Sequence, residues 1–425
     1  MSLSIAVIGC ISAQVGSAES LTLHDAEVIH TTQTMRSVYD EIVARHAESL
    51  DVMVSLNEIP APPFGERSRA LRLAQLLESL DLDEVELDAV GNVVARREGQ
   101  SGARTVAVIA HIDTVFPAQT NVTVKRDGSM FHAPGIGDNA RGLALMVDIA
   151  AALQKSALTT DADVLFIGSV GEEGLGDLRG VRALFGEDGP DIDSAIVIDG
   201  GILNHVVTSA VGSNRYRVTF RGKGGHSYGS FGRAHPHQAL ASAIYHFTDG
   251  ARAITETPGP KATYSVGRIG GGTSINSIPF ESWMEVDMRS VDPKRLALLD
   301  AALRKAIQQA LTEENHRALD DSVVSVDIES VGRRPAGEMA AEMPLVQRAI
   351  ASLKTIGVQA KLVASSTDAN LPMSLGIPAV TISRGGISRD AHALTERWED
   401  VGTDSAASAA ALLVIAEAGL VVDRL

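Results

Sequence analysis

The feature that most constrains this sequence is a short apolar segment over residues 105–117, TVAVIAHIDTVFP. Its first six residues are apolar or β-branched, which is typical of a strand buried on both faces of a parallel sheet. The strand runs directly into His111, and Asp113 follows two residues later. Such an aspartate commonly holds the second ring nitrogen of a metal-binding histidine. A lone histidine more often caps a strand end, so the metal interpretation depends on further ligands downstream.

Strand-like and helix-like segments alternate along most of the chain. A helical segment over 142–155 follows the first strand, and buried strands over 164–169 and 195–198 come next. Alternation of this kind predicts an α/β domain in which helices cover a mixed, largely parallel sheet. Between 213 and 332 the order changes to βαββαβ, which is typical of a small ferredoxin-like α+β domain.

This change of pattern divides the chain into three regions. Residues 1–34 are predicted to form a flexible leader, residues 35–212 and 333–425 an α/β catalytic domain, and residues 213–332 an inserted domain. A four-stranded sheet with helices on one face leaves an edge strand exposed, and a second subunit is one way to cover it. We therefore expect a homodimer that associates through the inserted domain.

Composition and charge narrow the classes of partner. The net charge of −16 argues against nucleic acid or an anionic membrane as a partner. The single cysteine, Cys10, excludes an internal disulfide framework. The apolar run in residues 1–20 is too short to span a bilayer, and no Lys or Arg precedes it as in a secretory signal. We expect a cytoplasmic protein, with export as the alternative.

Five potential metal ligands follow strand-like segments or lie in glycine-rich loops, where open α/β sheets place their sites. They are His111, Asp138, Glu173, Asp199 and His392. Two imidazoles and three carboxylates suit zinc or a similar divalent ion. Their number exceeds what one tetrahedral ion needs and suits two ions that share a bridging carboxylate. Taken singly, Asp138 could be a turn residue and Asp199 a helix cap.

Glu172 lies beside Glu173 and would be left free of metal. A free carboxylate next to a metal site can act as a general base toward water and later protonate the leaving amine. Adjacent acidic residues usually belong to a solvated surface. Here, however, they follow an apolar strand and lie between Gly171 and Gly174. This placement favours a catalytic carboxylate.

A series of motifs extends these observations over nearly the whole chain from about Met35. In chain order they are AHIDTV, GIGDNARG, GEEGLGD, VIDGG, GGHS, GGTSINSIP with DMRS, and STDAN followed by GIPAV and DAH. The set resembles the di-zinc metallopeptidase family that includes peptidase T, carboxypeptidase G, carnosinase, aminoacylase, acetylornithine deacetylase and succinyl-diaminopimelate desuccinylase.

The resemblance implies roles for the residues of the larger domain. His111 and Asp199 would hold one zinc ion, Glu173 and His392 the other, and Asp138 would bridge them, with a cis peptide bond to Asn139. Two zinc ions are therefore the expected cofactors, which Co²⁺ or Mn²⁺ could replace in vitro. Glu172 would be the general base, and Asp113 would orient His111.

The resemblance also implies roles for the inserted domain, which corresponds to the family's lid or dimerisation domain. His226 would help bind the oxyanion, and Asn276 and Arg289 would reach the carboxylate of the substrate. Two departures from the family pattern concern Ala393, where Ser or Thr is common, and the segment after GGHS. Asp199 is more similar to the aminopeptidase, dipeptidase and aminoacylase branches, in which Asp rather than Glu stands at this position.

The expected activity is zinc-dependent hydrolysis of peptide bonds in small peptides, of the aminopeptidase or dipeptidase type. An amidohydrolase that removes the N-acyl group from amino acids is the nearest alternative, because it uses the same machinery. A catalytically silent binding or assembly protein is the alternative from a different class. Such a protein should have lost a ligand or the base, yet Glu172 and all five ligands are present.

Overall fold

The structure, a computed structural model, describes residues 20–423. Cys10 and the first 19 residues of the predicted leader lie outside the described residues. The larger domain begins, in chain order, with β1 (Ser20–Leu23), α1 (Ala26–His30), α2 (Gln33–Ala44), α3 (His46–Asn57), α4 (Arg67–Glu78), β2 (Glu84–Leu87), β3 (Val93–Arg97), β4 (Thr105–His111), β5 (Lys125–Asp127) and β6 (Met130–His132). It continues with a distorted π-helical turn (Ile136–Arg141), α5 (Gly142–Lys155), β7 (Thr159–Thr160), β8 (Asp163–Ser169), α6 (Arg179–Leu184), β9 (Ser194–Gly200) and β10 (His205–Ala210).

The inserted domain and the return to the larger domain follow. The insertion consists of β11 (Gly212–Arg221), β12 (Gly225–His226), α7 (Pro236–Thr255), β13 (Ala262–Gly271), β14 (Ser277–Ile278), β15 (Glu281–Ser290), α8 (Pro293–Arg317) and β16 (Ser325–Arg334). The remaining elements are β17 (Gly337–Glu338), α9 (Pro344–Thr355), β18 (Lys361–Ser365), α10 (Asn370–Ser374), β19 (Ala379–Ser383), β20 (Ile387–Arg389), β21 (Arg397–Glu399), α11 (Thr403–Ala418) and β22 (Leu420–Asp423).

A nine-stranded mixed sheet organises the larger domain. Eight strands follow the order β17-β10-β19-β9-β4-β8-β3-β2, and β18 pairs with β10. The central strands β19, β9, β4 and β8 are mutually parallel, whereas β3, β2 and β10 join the sheet in antiparallel pairs. Val106–Ala110 of β4 are fully buried, as expected for a strand covered on both faces. The carboxyl ends of β4, β8, β9 and β19 therefore meet at one edge of the sheet.

The inserted domain has its own sheet and its own apolar core. Its four long strands form an antiparallel sheet in the order β13-β15-β11-β16, with α7 and α8 on one face. Side chains of even-numbered positions, such as Val218 and Met284, pack against the helices. The opposite face carries charged residues, including a direct cross-strand pair of Arg215 and Asp287. The α/β class and the βαββαβ insertion predicted from the sequence are confirmed.

The prediction of a flexible leader over 1–34 is wrong for the residues that the structure describes. β1 pairs with β22 near the carboxyl terminus, and Ile29 of α1 is fully buried. Asp25 caps α1 by accepting hydrogen bonds from two main-chain N–H groups. Residues 20–34 lack a long apolar run, so their packing against a distant strand was not visible in local periodicity. Among residues 20–423, no helix combines the length and hydropathy needed to cross a membrane.

The two apolar cores are separate clusters, and we propose that they unfold as separate units divided near residues 212 and 333. Phe247 lies fully buried in the core of the insertion. Phe247→Ala should reduce the unfolding free energy of that domain by about 3–5 kcal/mol through lost burial and a cavity.

The chain has two tryptophans, and each reports one domain: Trp283 on β15 and Trp398 on β21. Urea unfolding followed by fluorescence in Trp398→Phe and Trp283→Phe backgrounds separates the two signals. We expect Phe247→Ala to lower the midpoint reported by Trp283 much more than the one reported by Trp398. Equal shifts of both midpoints would mean that the two cores unfold as one unit.

Candidate metal centre

The candidate metal ligands converge at the carboxyl edge of the parallel strands. His111 is the last residue of β4, Glu173 follows β8 by four residues, and Asp199 lies near the end of β9. Asp138 lies in the π-helical turn before α5, and the peptide bond between Asp138 and Asn139 is cis, as the resemblance implies. His392 follows β20 and approaches from a separate small sheet.

Asp138 occupies the centre of this group. Its Oδ1 lies 3.2 Å from His111 Nε2, and its Oδ2 lies 3.2 Å from His392 Nε2. On one side Asp199 Oδ1 is 3.5 Å from the same His111 nitrogen. On the other side Glu173 Oε1 is 3.0 Å from His392 Nε2. The ligand atoms thus form two groups with Asp138 in common, which is the arrangement that a bridging carboxylate requires.

The electrostatics of this group fit divalent cations. Hydrogen bonds to Asp138 and Glu173 raise the pKa of His392 to about 10. Burial lowers the pKa of His111, but hydrogen bonds to aspartates outweigh it and hold that pKa well above its ordinary value. The carboxylates therefore favour a positive charge at both imidazoles. A divalent ion would supply that charge, and metal binding would release the protons.

Asp113 supports the site in more than one way. Its main-chain oxygen lies 3.0 Å from His111 Nδ1, while its carboxylate is farther away, at 3.7 Å. The carboxylate instead accepts hydrogen bonds from the main-chain N–H groups of Glu172 at 3.0 Å and Glu173 at 2.8 Å. Asp113 thereby ties the β4 loop to the β8 loop. The sequence predicted only its contact with the histidine.

Glu172 is buried and belongs to neither of the two groups that share Asp138, although it also lies within 4.8 Å of His111 and Glu173 in a third cluster. Arg334 Nη1 donates a hydrogen bond to Glu172 Oε1 at 2.7 Å, and Arg334 Nη2 donates to the main-chain oxygen of Glu172. Burial raises the pKa of the Glu172 carboxyl well above its ordinary value, Arg334 opposes this shift, and Glu173 adds to it. Arg334 is the last residue of β16, so the return strand of the insertion fixes the orientation of this carboxylate.

A second buried arginine, Arg384, also contacts the ligand group. It follows β19, and its Nη1 donates to Asp138 Oδ1 at 2.9 Å and lies 3.4 Å from Asp199 Oδ1. The cluster of carboxylates is thus partly neutralised by protein cations. Sequence reasoning missed both arginines because their partners are more than a hundred residues away. The only local signal for Arg384 is its place directly after a buried strand.

Glu396 fixes the loop that carries Asp138. It is buried, and its Oε1 accepts from the N–H groups of Gly137 at 3.0 Å and Asp138 at 2.9 Å. Its Oε2 accepts from the N–H of Gly135 at 2.8 Å. Because Glu396 lies four residues after His392, one segment supplies a ligand and positions the shared carboxylate. This residue was also missed from the sequence.

The ligands line a cavity of about 410 Å³ between the two domains. Its other walls include Arg215, Arg289 and Arg334, together with small polar residues at 365–367. Arg289, which the resemblance assigns to the carboxylate of the substrate, is thus one of the cavity-lining residues. Within residues 20–423 the cavity lining does not include His226 or Asn276; both are exposed, His226 on β12 and Asn276 directly before β14.

Comparison with known proteins decides the family. Residues 107–416 match the sequence profile of Peptidase family M20/M25/M40, which covers more than half of the chain. The chain belongs to this family. Membership makes the protein a hydrolase of the peptidase and amidohydrolase type. The resemblance drawn from the motifs is confirmed.

The proteins to which the chain is similar include a deacetylase and peptidases. The chain is 24% identical over 282 residues to an N-acetylcysteine deacetylase from Bacillus subtilis (strain 168), covering 62% of this chain and 71% of that protein. The fold is similar to that of a tripeptidase from Staphylococcus aureus (TM-score 0.72, 22% identity, 87% of this chain and 97% of the other). It is also similar to a dinuclear metal-binding M20 peptidase from Bacillus subtilis (TM-score 0.64, 18% identity, 88% of this chain and 98% of the other).

Substitution of Glu396 by Gln tests the support of the Asp138 loop in this M20 protein. A glutamine side chain has only one acceptor oxygen. Its amide group would face at least one of the three main-chain N–H groups from which Glu396 now accepts hydrogen bonds, and that hydrogen bond would be lost. Loss of such outer support typically lowers metal affinity about 10- to 100-fold. Competition with a chromophoric chelator for Zn²⁺ measures the change.

Glu417→Gln is the matched control, because Glu417 is also buried and pairs with Arg104 and Arg348. Arg104 precedes β4, so this cluster lies at the opposite end of that strand from His111. We expect Glu417→Gln to lower stability and leave zinc affinity unchanged. Equal zinc affinity of Glu396→Gln and wild type would contradict the role of Glu396.

Proposed function

We propose that the protein is a zinc-dependent hydrolase of peptide bonds in small peptides. The observation that carries this proposal is the position of Asp138, whose two oxygens face two imidazoles, each with its own carboxylate partner. His111 and Asp199 would hold one ion, Glu173 and His392 the other, and Asp138 both. When bound, the pair of ions would polarise the scissile carbonyl and make water a stronger nucleophile.

The residues of the chain itself account for the proton transfers. Glu172 lies next to the ligands, and Arg334 holds one of its oxygens, which fixes the direction of the other. Glu172 would accept a proton from the attacking water and donate it to the nitrogen of the leaving amine. Arg215 and Arg289 also line the cavity and, unlike Arg334, have terminal nitrogens available to bind a carboxylate of a short substrate. The cavity volume of about 410 Å³ suits a molecule of that size.

An amidohydrolase of N-acyl amino acids is the second candidate, and one observation favours it. Among the described residues, every carboxylate that lines the cavity is a proposed ligand or Glu172. No further acidic group is therefore available to bind the free ammonium of a peptide. The similarity to the N-acetylcysteine deacetylase points in the same direction. Both candidates use the same residues and differ in the group on the acyl side of the scissile bond.

A substrate panel with the zinc-loaded protein tests the proposal. It contains di- and tripeptides with free and acetylated amino termini, together with N-acetyl and N-succinyl amino acids. We expect the wild-type protein to hydrolyse peptides. In Glu172→Gln the rate of hydrolysis should fall about 10²- to 10⁴-fold, because an amide cannot accept the proton of the water. Metal analysis of the variant should still give two ions, since the five ligands are unchanged.

Three results of this panel have different meanings. Hydrolysis restricted to acylated amino acids would select the amidohydrolase. Absence of any turnover in a protein that binds two ions would select a silent binding protein. Near wild-type activity in Glu172→Gln, or loss of its metal, would show that the base has been assigned to the wrong residue.

His226 is proposed to act on the active site of a second subunit. It is exposed, and neighbouring apolar side chains are also exposed, with Tyr228 at 90%, Phe231 at 81% and Ile275 at 104%. A patch of this kind is typical of an interface rather than of a free surface. In a C2 homodimer, the patch would be covered and each His226 would be carried toward the partner's ligands, where it would help to bind the oxyanion. Asn276 would reach the carboxylate of the substrate.

Complementation tests this arrangement. Glu172→Ala and His226→Ala chains should each be nearly inactive, whereas a mixed dimer joins an intact Glu172 with an intact His226 at one of its two sites. Random reassortment of equal amounts should restore about a quarter of wild-type activity, because half of the dimers are mixed. Subunit exchange is verified with differently tagged chains. If exchange occurs and activity does not return, His226 does not act across subunits.

A further inference from the structure

The charged face of the inserted sheet ends at the active-site cavity in a triplet of residues. Arg215 on β11 and Asp287 on β15 are direct cross-strand partners, and Arg289 follows two residues later on the same face. Arg215 Nε donates to Asp287 Oδ1 at 3.0 Å, and Arg289 Nε donates to Asp287 Oδ2 at 2.7 Å. One carboxylate therefore orients two guanidinium groups.

This geometry leaves the outer edges of both guanidinium groups available. Each arginine uses its inner nitrogen for Asp287, so the terminal nitrogens remain free to bind a ligand. Within residues 20–423, the terminal nitrogens of Arg289 make no hydrogen bond, and Arg215 Nη1 makes one long contact of 3.5 Å with the oxygen of Gly174. Gly174 follows the proposed ligand Glu173. Both arginines line the cavity, so their free edges lie beside the metal ligands.

The number of free donors exceeds what one carboxylate requires. A guanidinium edge binds a carboxylate through two parallel hydrogen bonds, so two edges provide two places for carboxylates. Because both inner nitrogens bind the oxygens of the same side chain, the two places lie close together. A ligand that fills both therefore carries two carboxylates joined by a short aliphatic chain.

We propose that Arg215 is a specificity-determining residue that selects substrates whose leaving amine is an acidic amino acid, aspartate or glutamate. Arg289 would bind one carboxylate of that amino acid and Arg215 the other. This inference rests on the proposed function, because it names the substrate class of the same site. It applies equally to an acidic residue at the end of a small peptide and to an N-acylated acidic amino acid.

Pairs of isosteric substrates measure the proposal directly. Ala-Glu is compared with Ala-Gln, and N-acetyl-glutamate with N-acetyl-glutamine, so that only the second carboxylate changes. The wild-type protein should prefer the acid over the amide about 10- to 100-fold in kcat/KM, as expected for one charge-assisted pair of hydrogen bonds. In Arg215→Gln this ratio should fall to near one, and Arg215→Lys should restore part of it because the charge returns without the two-pronged geometry.

Arg217→Gln is the matched control, because Arg217 lies two residues along the same strand and pairs with Glu285 at 2.7 Å. It does not line the cavity, so the ratio of acid to amide should keep its wild-type value. A wild-type protein that hydrolyses Ala-Gln as well as Ala-Glu would overturn the proposal and leave the hydrolase assignment intact. It would mean that both arginines bind a single carboxylate.

Binding of free amino acids separates this inference from the proposed function. Calorimetry of the zinc-loaded protein with L-glutamate and L-glutamine needs no turnover. We expect L-glutamate to bind about 10- to 100-fold more tightly, with the difference lost in Arg215→Gln. If none of the four substrates is hydrolysed, the proposed function fails, and this measurement alone decides the inference. Equal binding of both amino acids would then reject it.

Discussion

The concentration of carboxylates around Asp138 is the constraint on which the rest of this structure depends. Asp138, Glu173 and Asp199 lie within a few ångströms of two imidazoles at the edge of the sheet, and Glu172 lies beside them. So many negative groups in a poorly solvated place are stable only if cations compensate for them. The protein supplies part of that compensation through Arg334 and Arg384. Divalent ions at the two ligand groups would supply the rest.

The supporting residues connect this centre to distant parts of the chain. Asp113 links the loop after β4 with the loop after β8, and Glu396 links the segment of His392 with the turn of Asp138. The main chain of Glu173 and that of Asp138 are therefore each held by a carboxylate on another loop. A site of this kind is rigid because displacement of one loop breaks hydrogen bonds to its neighbour.

The inserted domain completes the site and does more than cover it. Arg334 reaches Glu172 from the last residue of β16, and Arg215 and Arg289 form a wall of the cavity from β11 and β15. Its helices cover the apolar face of its sheet, which leaves the charged face to meet the ligands. The candidate metal ligands and the arginines proposed to bind substrate thus come from different domains, so the two sets of residues can vary independently.

The sequence by itself determined the class of fold, the family and the five candidate ligands. Buried strands and amphipathic helices leave local periodicities, and ligands at the ends of such strands can be read together with them. Apart from Asp113, the residues that support those ligands could be assigned only from the tertiary structure. Arg334 and Arg384 resemble ordinary surface arginines in the sequence, Glu396 resembles an ordinary acidic residue, and residues 20–34 resemble a leader. Each acquires its role through a partner far away in the chain. Folding brings the two partners together, and such a contact produces no periodic pattern in the local sequence.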